Sequence, residues 1–170
     1  MPGPPPVAAL QDTQREALAN LSTAERQFLH LSDDQQPLDD AARIAWRYVS
    51  RYYMPSTGLV AAVPNYDYAT VWDIASSLAA LYSAGELNLI NRQESDARLA
   101  RALETLDGLP LFERTAFNKV YSVSTGSMAD RAERRSDSGY GWSATDIGRL
   151  LIWLRIIAAS RETLAEPASA

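Results

Sequence analysis

Apolar residues recur along this chain at intervals of three and four, the period of helices that bury one face. A helix is predicted over residues 7–20, and a second runs from the capping pair Ser22 and Glu25 to Leu31. A third begins near Asp39 and Asp40, whose charges suit a helix N-terminus. It carries Ala41, Ala45, Tyr48, Val49 and Tyr52 on one face and Arg43, Arg47 and Arg51 on a solvated one. Residues 71–87 repeat the pattern through Val71, Ile74, Ala75, Leu78, Ala79 and Tyr82. Another helix opens at Asn91 and Glu94, continues through Leu99, Ala102, Leu103 and Leu106, and stops at Gly108 and Pro110. The last starts at Ser143 and ends near Ser160. Ile147, Leu150, Leu151 and Leu154 lie on one side, with Ile152, Trp153 and Ile156 on others, so burial on most sides is predicted.

Strand signals are sparse. Residues 58–63 and 119–123 read as one small β-hairpin or as extended loops. The fold class is all-α, built from antiparallel helical hairpins with long loops over residues 53–70 and 109–142; loops of that length are often functional. The chain divides into residues 1–37 (an extended proline-rich leader and short helices), a helical domain over 38–160, and a tail over 161–170. The two loops repeat one another. Ser56-Thr57-Gly58 precedes Trp72-Asp73-Ile74-Ala75, and Ser124-Thr125-Gly126 precedes Trp142 and Asp146-Ile147-Gly148, as stacked helical units would require.

Composition narrows the chemistry. The 170 residues carry a net charge of −5, which disfavours nonspecific binding to nucleic acid. With no cysteine, and His30 the lone histidine, disulfides, thiolate chemistry and histidine-rich metal sites are excluded, and no metal or cofactor is expected. No stretch reaches the roughly 18 apolar residues needed to span a bilayer. The N-terminus has no signal-peptide pattern, so the chain as written is expected in the cytoplasm. His30 and the interleaved charges Asp130 to Asp137 read as structural and solvated.

What remains is a polar rim. Thr70 with Asp73 and Ser143 with Asp146 match the capping-box spacing, so each carboxylate has a structural role available as a helix cap. Both nevertheless follow long loops and stand beside tryptophans. If their helices run parallel, both N-termini open on one side. Tyr53, Tyr66, Tyr68, Trp72, Tyr121, Tyr140 and Trp142 supply aromatic faces of the kind that stack on sugar rings.

The chain also resembles the bacterial domain-of-unknown-function 3131 family. The resemblance rests on Ala45-Trp46-Arg47-Tyr48, Thr57-Gly58-Leu59-Val60, Trp72-Asp73-Ile74-Ala75-Ser76, Leu109-Pro110-Leu111, Asn118-Lys119-Val120-Tyr121, Thr125-Gly126 and the run from Gly141-Trp142-Ser143 to Arg149, and covers roughly residues 38–159. It implies an α/α toroid similar to that of several glycoside hydrolases, with Trp72, Asp73, Lys119, Tyr121, Trp142, Ser143 and Asp146 lining a cleft. A complete toroid needs more helices than this pattern predicts, so the chain reads as about half of one. Relatives that look exported would place it in the periplasm if the start is truncated.

Three functions compete. As a glycoside hydrolase the chain would use Asp73 and Asp146 as its carboxyl pair, with Glu113 and Asp67 as substitutes. Such pairs stand about 5 Å or about 6.5–9.5 Å apart, one with a raised pKa. As a binding module it would hold an oligo- or polysaccharide through Tyr66, Tyr68, Trp72, Lys119, Tyr121, Trp142 and Ser143. As an interaction or remnant domain it would cover its open helical face with a homodimer copy or another protein.

Overall fold

The computed structural model describes residues 36–165, 167 and 168. His30 and the helices expected over residues 7–20 and 22–31 lie outside the described residues. Helix α1 spans Gln36–Tyr52, with Asp39 in its first turn and Arg51 in its last, each favourable to the helix dipole. Pro37 sits near the start, where a missing N–H removes no helical bond. Arg43, Arg47 and Arg51 are exposed, while Trp46, Val49 and Tyr52 pack against the core. The chain's contacts divide it after Ala41, inside α1, and the packing that follows is that of the unit from Ala42 onward.

Helix α2 (Val71–Glu86) is central to that unit. It buries Val71, Ile74, Ala75, Leu78, Leu81 and Ala84 because it has neighbours on two flanks. Each leucine of this kind contributes about 1.5–3 kcal/mol on burial. Helix α3 (Arg92–Asp107) folds back on α2 as an antiparallel hairpin. At their close approach the Ser95 hydroxyl donates to the Leu81 carbonyl at 2.9 Å, and a Cβ on Gly85 would lie 2.7 Å from the Ser95 side chain. Helix α4 (Ala144–Ser160) packs on the other flank of α2 and runs in the same direction. Arg149 meets Trp72 near the start of both helices, and Trp153 meets Tyr82 further along.

Helix α4 corrects one expectation. It buries Leu150 and Ile157, yet Leu151 and Ile152 remain 58% and 60% exposed. An apolar circumference predicts burial only where neighbours fill every side; Ile152 is left open, and Leu151 borders an unfilled apolar cleft towards α3.

The strands resolve the alternative between a hairpin and extended loops. β1 (Tyr68–Thr70) pairs antiparallel with β4 (Val120–Ser122), in the register Tyr68↔Ser122, Ala69↔Tyr121 and Thr70↔Val120. β2 (Leu111–Phe112) and β3 (Ala116–Phe117) form a hairpin around Glu113 and Arg114, both at positive φ. Residues 58–63 and 119–123 do not pair with each other: Val60 bridges Tyr53, and Val120–Ser122 takes β1. A three-residue strand is too short for an alternation signal, and its partner is set by tertiary packing.

The repeated Ser-Thr-Gly turns press on α3 and on Leu109 just beyond its end. Gly58 (φ +73°) lies against the backbone at Ala102, and Gly126 (φ +71°) has Leu109 within 3.0 Å of a would-be Cβ. Thr57 ties one turn to the other loop by donating to the Val123 carbonyl at 2.6 Å. The repeat therefore works as a pair of clamps.

Beyond α4, a short 3-10 turn (Glu162–Leu164) returns the chain to the core, where Leu164 and Ala168 are buried. Arg161, only 1% exposed, lies over the Tyr82 ring and pairs with Glu86 at 2.9 Å and Asp96 at 3.3 Å. Its guanidinium thus joins α2, α3 and the C-terminal segment.

Candidate functional site

Because α2 and α4 run parallel, their N-termini share one end of the unit. Each brings an aspartate in its third position. Thr70 caps α2 with a reciprocal box: its hydroxyl accepts from the Asp73 N–H at 3.2 Å, while Asp73 Oδ2 accepts from the Thr70 N–H at 2.9 Å and the Thr70 hydroxyl at 2.6 Å. Ser143 caps α4 similarly, donating to Asp146 Oδ1 at 2.6 Å and accepting from the Asp146 N–H at 3.4 Å. Both acids are therefore caps, as the spacing predicts. Asp73 Oδ1 and Asp146 Oδ2 are left without a hydrogen bond among the described residues.

The tryptophans at these ends are open: Trp72 is 42% exposed and Trp142 is 52% exposed. Arg149 lies over the Trp72 ring at 4.2 Å, with its Nε shut off from solvent and unbonded. Lys119 stands over the Tyr140 ring at 5.6 Å. Its backbone joins both helix ends, because its carbonyl accepts from the Val71 N–H at 3.2 Å and its own N–H donates to the Gly141 carbonyl at 2.8 Å.

Tyr66 and Tyr68 meet edge to face at 5.6 Å. Burial, reinforced by the Glu133 carboxylate, pushes Tyr66 up to about 12. Tyr140 is raised chiefly by burial, with Asp146 and Glu133 adding to the rise against Arg131. Tyr48 is raised by burial, with smaller contributions from Tyr52 and Asp73.

Tyr121 does not stand on this rim. It is fully buried, and burial pushes its hydroxyl up to about 12. That hydroxyl donates to the Pro110 carbonyl at 2.8 Å and accepts from the Asn118 N–H at 2.8 Å. The reason is that all three residues of β4 are buried, and Tyr121 belongs to the hydrophobic core.

Asn118, which spacing did not single out, positions Tyr140. Its Oδ1 accepts from the Tyr140 N–H at 2.9 Å, and its Nδ2 donates to the Val120 and Ala129 carbonyls. Arg149 was also not singled out, although its place one turn after Asp146 puts the two on adjoining parts of one face. The substitutes stand apart. Asp67 accepts from the Ser122 and Ser124 hydroxyls at 2.6 and 2.8 Å, and Glu113 lies in the β2–β3 turn.

Two clefts lie elsewhere. One, of about 610 Å³, opens between the Ser-Thr-Gly turns and the end of α3. The other, of about 790 Å³, is apolar and lies between α3, the β2–β3 hairpin and α4. Neither is lined by Trp72, Asp73, Trp142 or Asp146. Among the described residues no cluster of three or more His, Cys, Asp or Glu could hold a metal, and no helix is long and apolar enough to cross a membrane.

Fold and rim together define a small, mostly helical domain that displays aromatic and charged side chains at one end. The chain belongs to the DUF3131 family, described as proteins of unknown function, whose model matches residues 40–169. No curated protein and no solved structure matches it.

Proposed function

We propose that the chain is a carbohydrate-binding module whose rim engages an oligo- or polysaccharide. The observation that supports this reading is the pairing of two half-exposed tryptophans with two cap carboxylates at the ends of parallel helices. A sugar's C–H face stacks on an indole, while its hydroxyls donate to carboxylate oxygens. Asp73 and Asp146 each keep one oxygen for that purpose. Trp72, Trp142, Lys119, Tyr66, Tyr68 and Ser143 are the remaining candidate contacts. Because the two carboxylates already serve as caps, binding is a more economical role for them than hydrolysis.

The test is calorimetric titration with gluco-, manno-, galacto- and amino-sugar oligosaccharides. One class is expected to bind, with Trp142→Ala weakening it about tenfold, the loss of one stacking contact of roughly 1.5 kcal/mol. Asp73→Asn keeps a capping oxygen and removes the charge. Lost affinity with a stability change below about 1 kcal/mol supports a ligand contact, whereas lost stability with binding intact makes Asp73 a cap alone. No binding by any class at millimolar sugar refutes the proposal.

A second reading is favoured by Leu151 and Ile152, both exposed on α4. There the domain is an interaction module whose face a second copy or another protein covers. Native mass measured across a concentration series separates the two readings.

A further inference from the structure

Charged side chains withdrawn from water ordinarily have a counter-charge, because desolvation of an unpaired ion is costly. Among the described residues four cationic side chains are half-buried or buried: Arg98, Lys119, Arg149 and Arg161. Arg98 pairs with Glu94, and Arg161 pairs with Glu86 and Asp96. Lys119 and Arg149 have no carboxylate partner; each has only an aromatic ring beneath it, Tyr140 for one and Trp72 for the other. A ring face compensates a cation weakly compared with a carboxylate. The other unpaired arginines are exposed and solvated, so these two stand out by their desolvation.

Both are tied to the start of α2. The Lys119 carbonyl bonds the first residue of α2, and the residue after that is the Trp72 on which Arg149 lies. Asp73 and Asp146, the nearby acids, each bond a cap hydroxyl through one oxygen and form no ion pair with either cation among the described residues. Neither cation is paired with a carboxylate among the described residues, so each keeps N–H donors for an incoming anionic group.

We infer that the saccharide taken by this rim carries an anionic substituent, held between Lys119 and Arg149 while the ring lies on Trp142. The inference rests on the carbohydrate-binding reading and specifies its ligand. A sugar carboxylate and a sugar-borne phosphate or sulfate share this chemistry. The planar guanidinium of Arg149 suits either through paired N–H donors.

The test compares matched probes on the full chain at fixed ionic strength: tetragalacturonate, its methyl-esterified neutral form, and a sulfated galacto-oligosaccharide of equal length. The acidic probe is expected to bind at least tenfold more tightly than its ester. Preference between tetragalacturonate and the sulfated probe separates carboxylate from sulfate recognition. Lys119→Gln and Arg149→Gln should each remove most of that advantage, lowering affinity for the acid far more than affinity for the ester. Arg149→Lys should restore part of it. Lys119→Gln keeps the test valid if loss of the Arg149 stack lowers the melting temperature. Equal affinity for acid and ester overturns this inference alone and leaves the carbohydrate reading standing. An acid preference that survives both glutamine variants overturns it too, by placing the anion elsewhere. Absence of binding by all three probes overturns this inference, and the carbohydrate reading falls with it only when every sugar class of the wider titration also fails to bind.

Discussion

At the scale of single residues, backbone geometry and local bonding decide what a position tolerates. Gly58 and Gly148 make the contrast. Gly58 holds φ at +73° with the Ala102 backbone where a Cβ would go, whereas Gly148 has nothing within 4 Å. Gly58→Ala should cost more than about 2 kcal/mol, while Gly148→Ala, inside α4, should stabilise by about 0.5–1 kcal/mol. Urea unfolding of the two variants checks both signs. Tyr66 makes a pH prediction. Its folded pKa of about 12 lies above the ordinary 10, so the stability it contributes is whole below pH 10 and is lost as pH rises towards 12. Unfolding free energy should fall over that window, and Tyr66→Phe should flatten part of the slope.

Residue roles written in local spacing were legible beforehand. Thr70 with Asp73 and Ser143 with Asp146 lie three apart, and the cap needs nothing else. Tyr121 was not legible, since its burial follows from a strand whose partner lies about fifty residues away. Arg149 and Asn118 escaped for the same reason, because their partners, Trp72 and Tyr140, are distant in sequence.

Among the elements, the helices announced themselves through periodicity and caps, and α2 and α3 fall within a residue or two of expectation. What periodicity cannot report is how many neighbours a helix has. In α4 the adjacent leucines divide: Leu150 is wholly buried and Leu151 is 58% exposed. Leu150→Ala should cost about 2–5 kcal/mol, whereas Leu151→Gln should change stability by less than about 0.5 kcal/mol in the monomer. Comparable losses at both positions in dilute solution would mean that the Leu151 side of α4 is covered there. The β1–β4 pairing was hidden because three-residue strands carry no period of their own.

For the molecule as a whole, the repeat seen in sequence has a mechanical meaning in the fold. Its two glycine turns clamp α3, and its two Trp-and-Asp steps open parallel helices at one end. The α2–α3 hairpin agrees with the expected antiparallel units. A half-toroid and a partner that completes it remain proposals, to be judged by native mass and by the ligand titrations.

The buried Arg161 carries a consequence for how the protein meets a protease. Trypsin cuts after arginine, and the chain offers Arg131, Arg134 and Arg135 on an exposed loop, but only 1% of Arg161. In the native state the loop should be clipped first. The Arg161–Glu162 bond should survive until the segment after α4 lifts from Glu86 and Asp96. Mass spectrometry of a timed digest would follow the C-terminal fragment. Its appearance would mark the moment at which the three elements held by one guanidinium come apart, so the chain contains its own proteolytic gauge of opening.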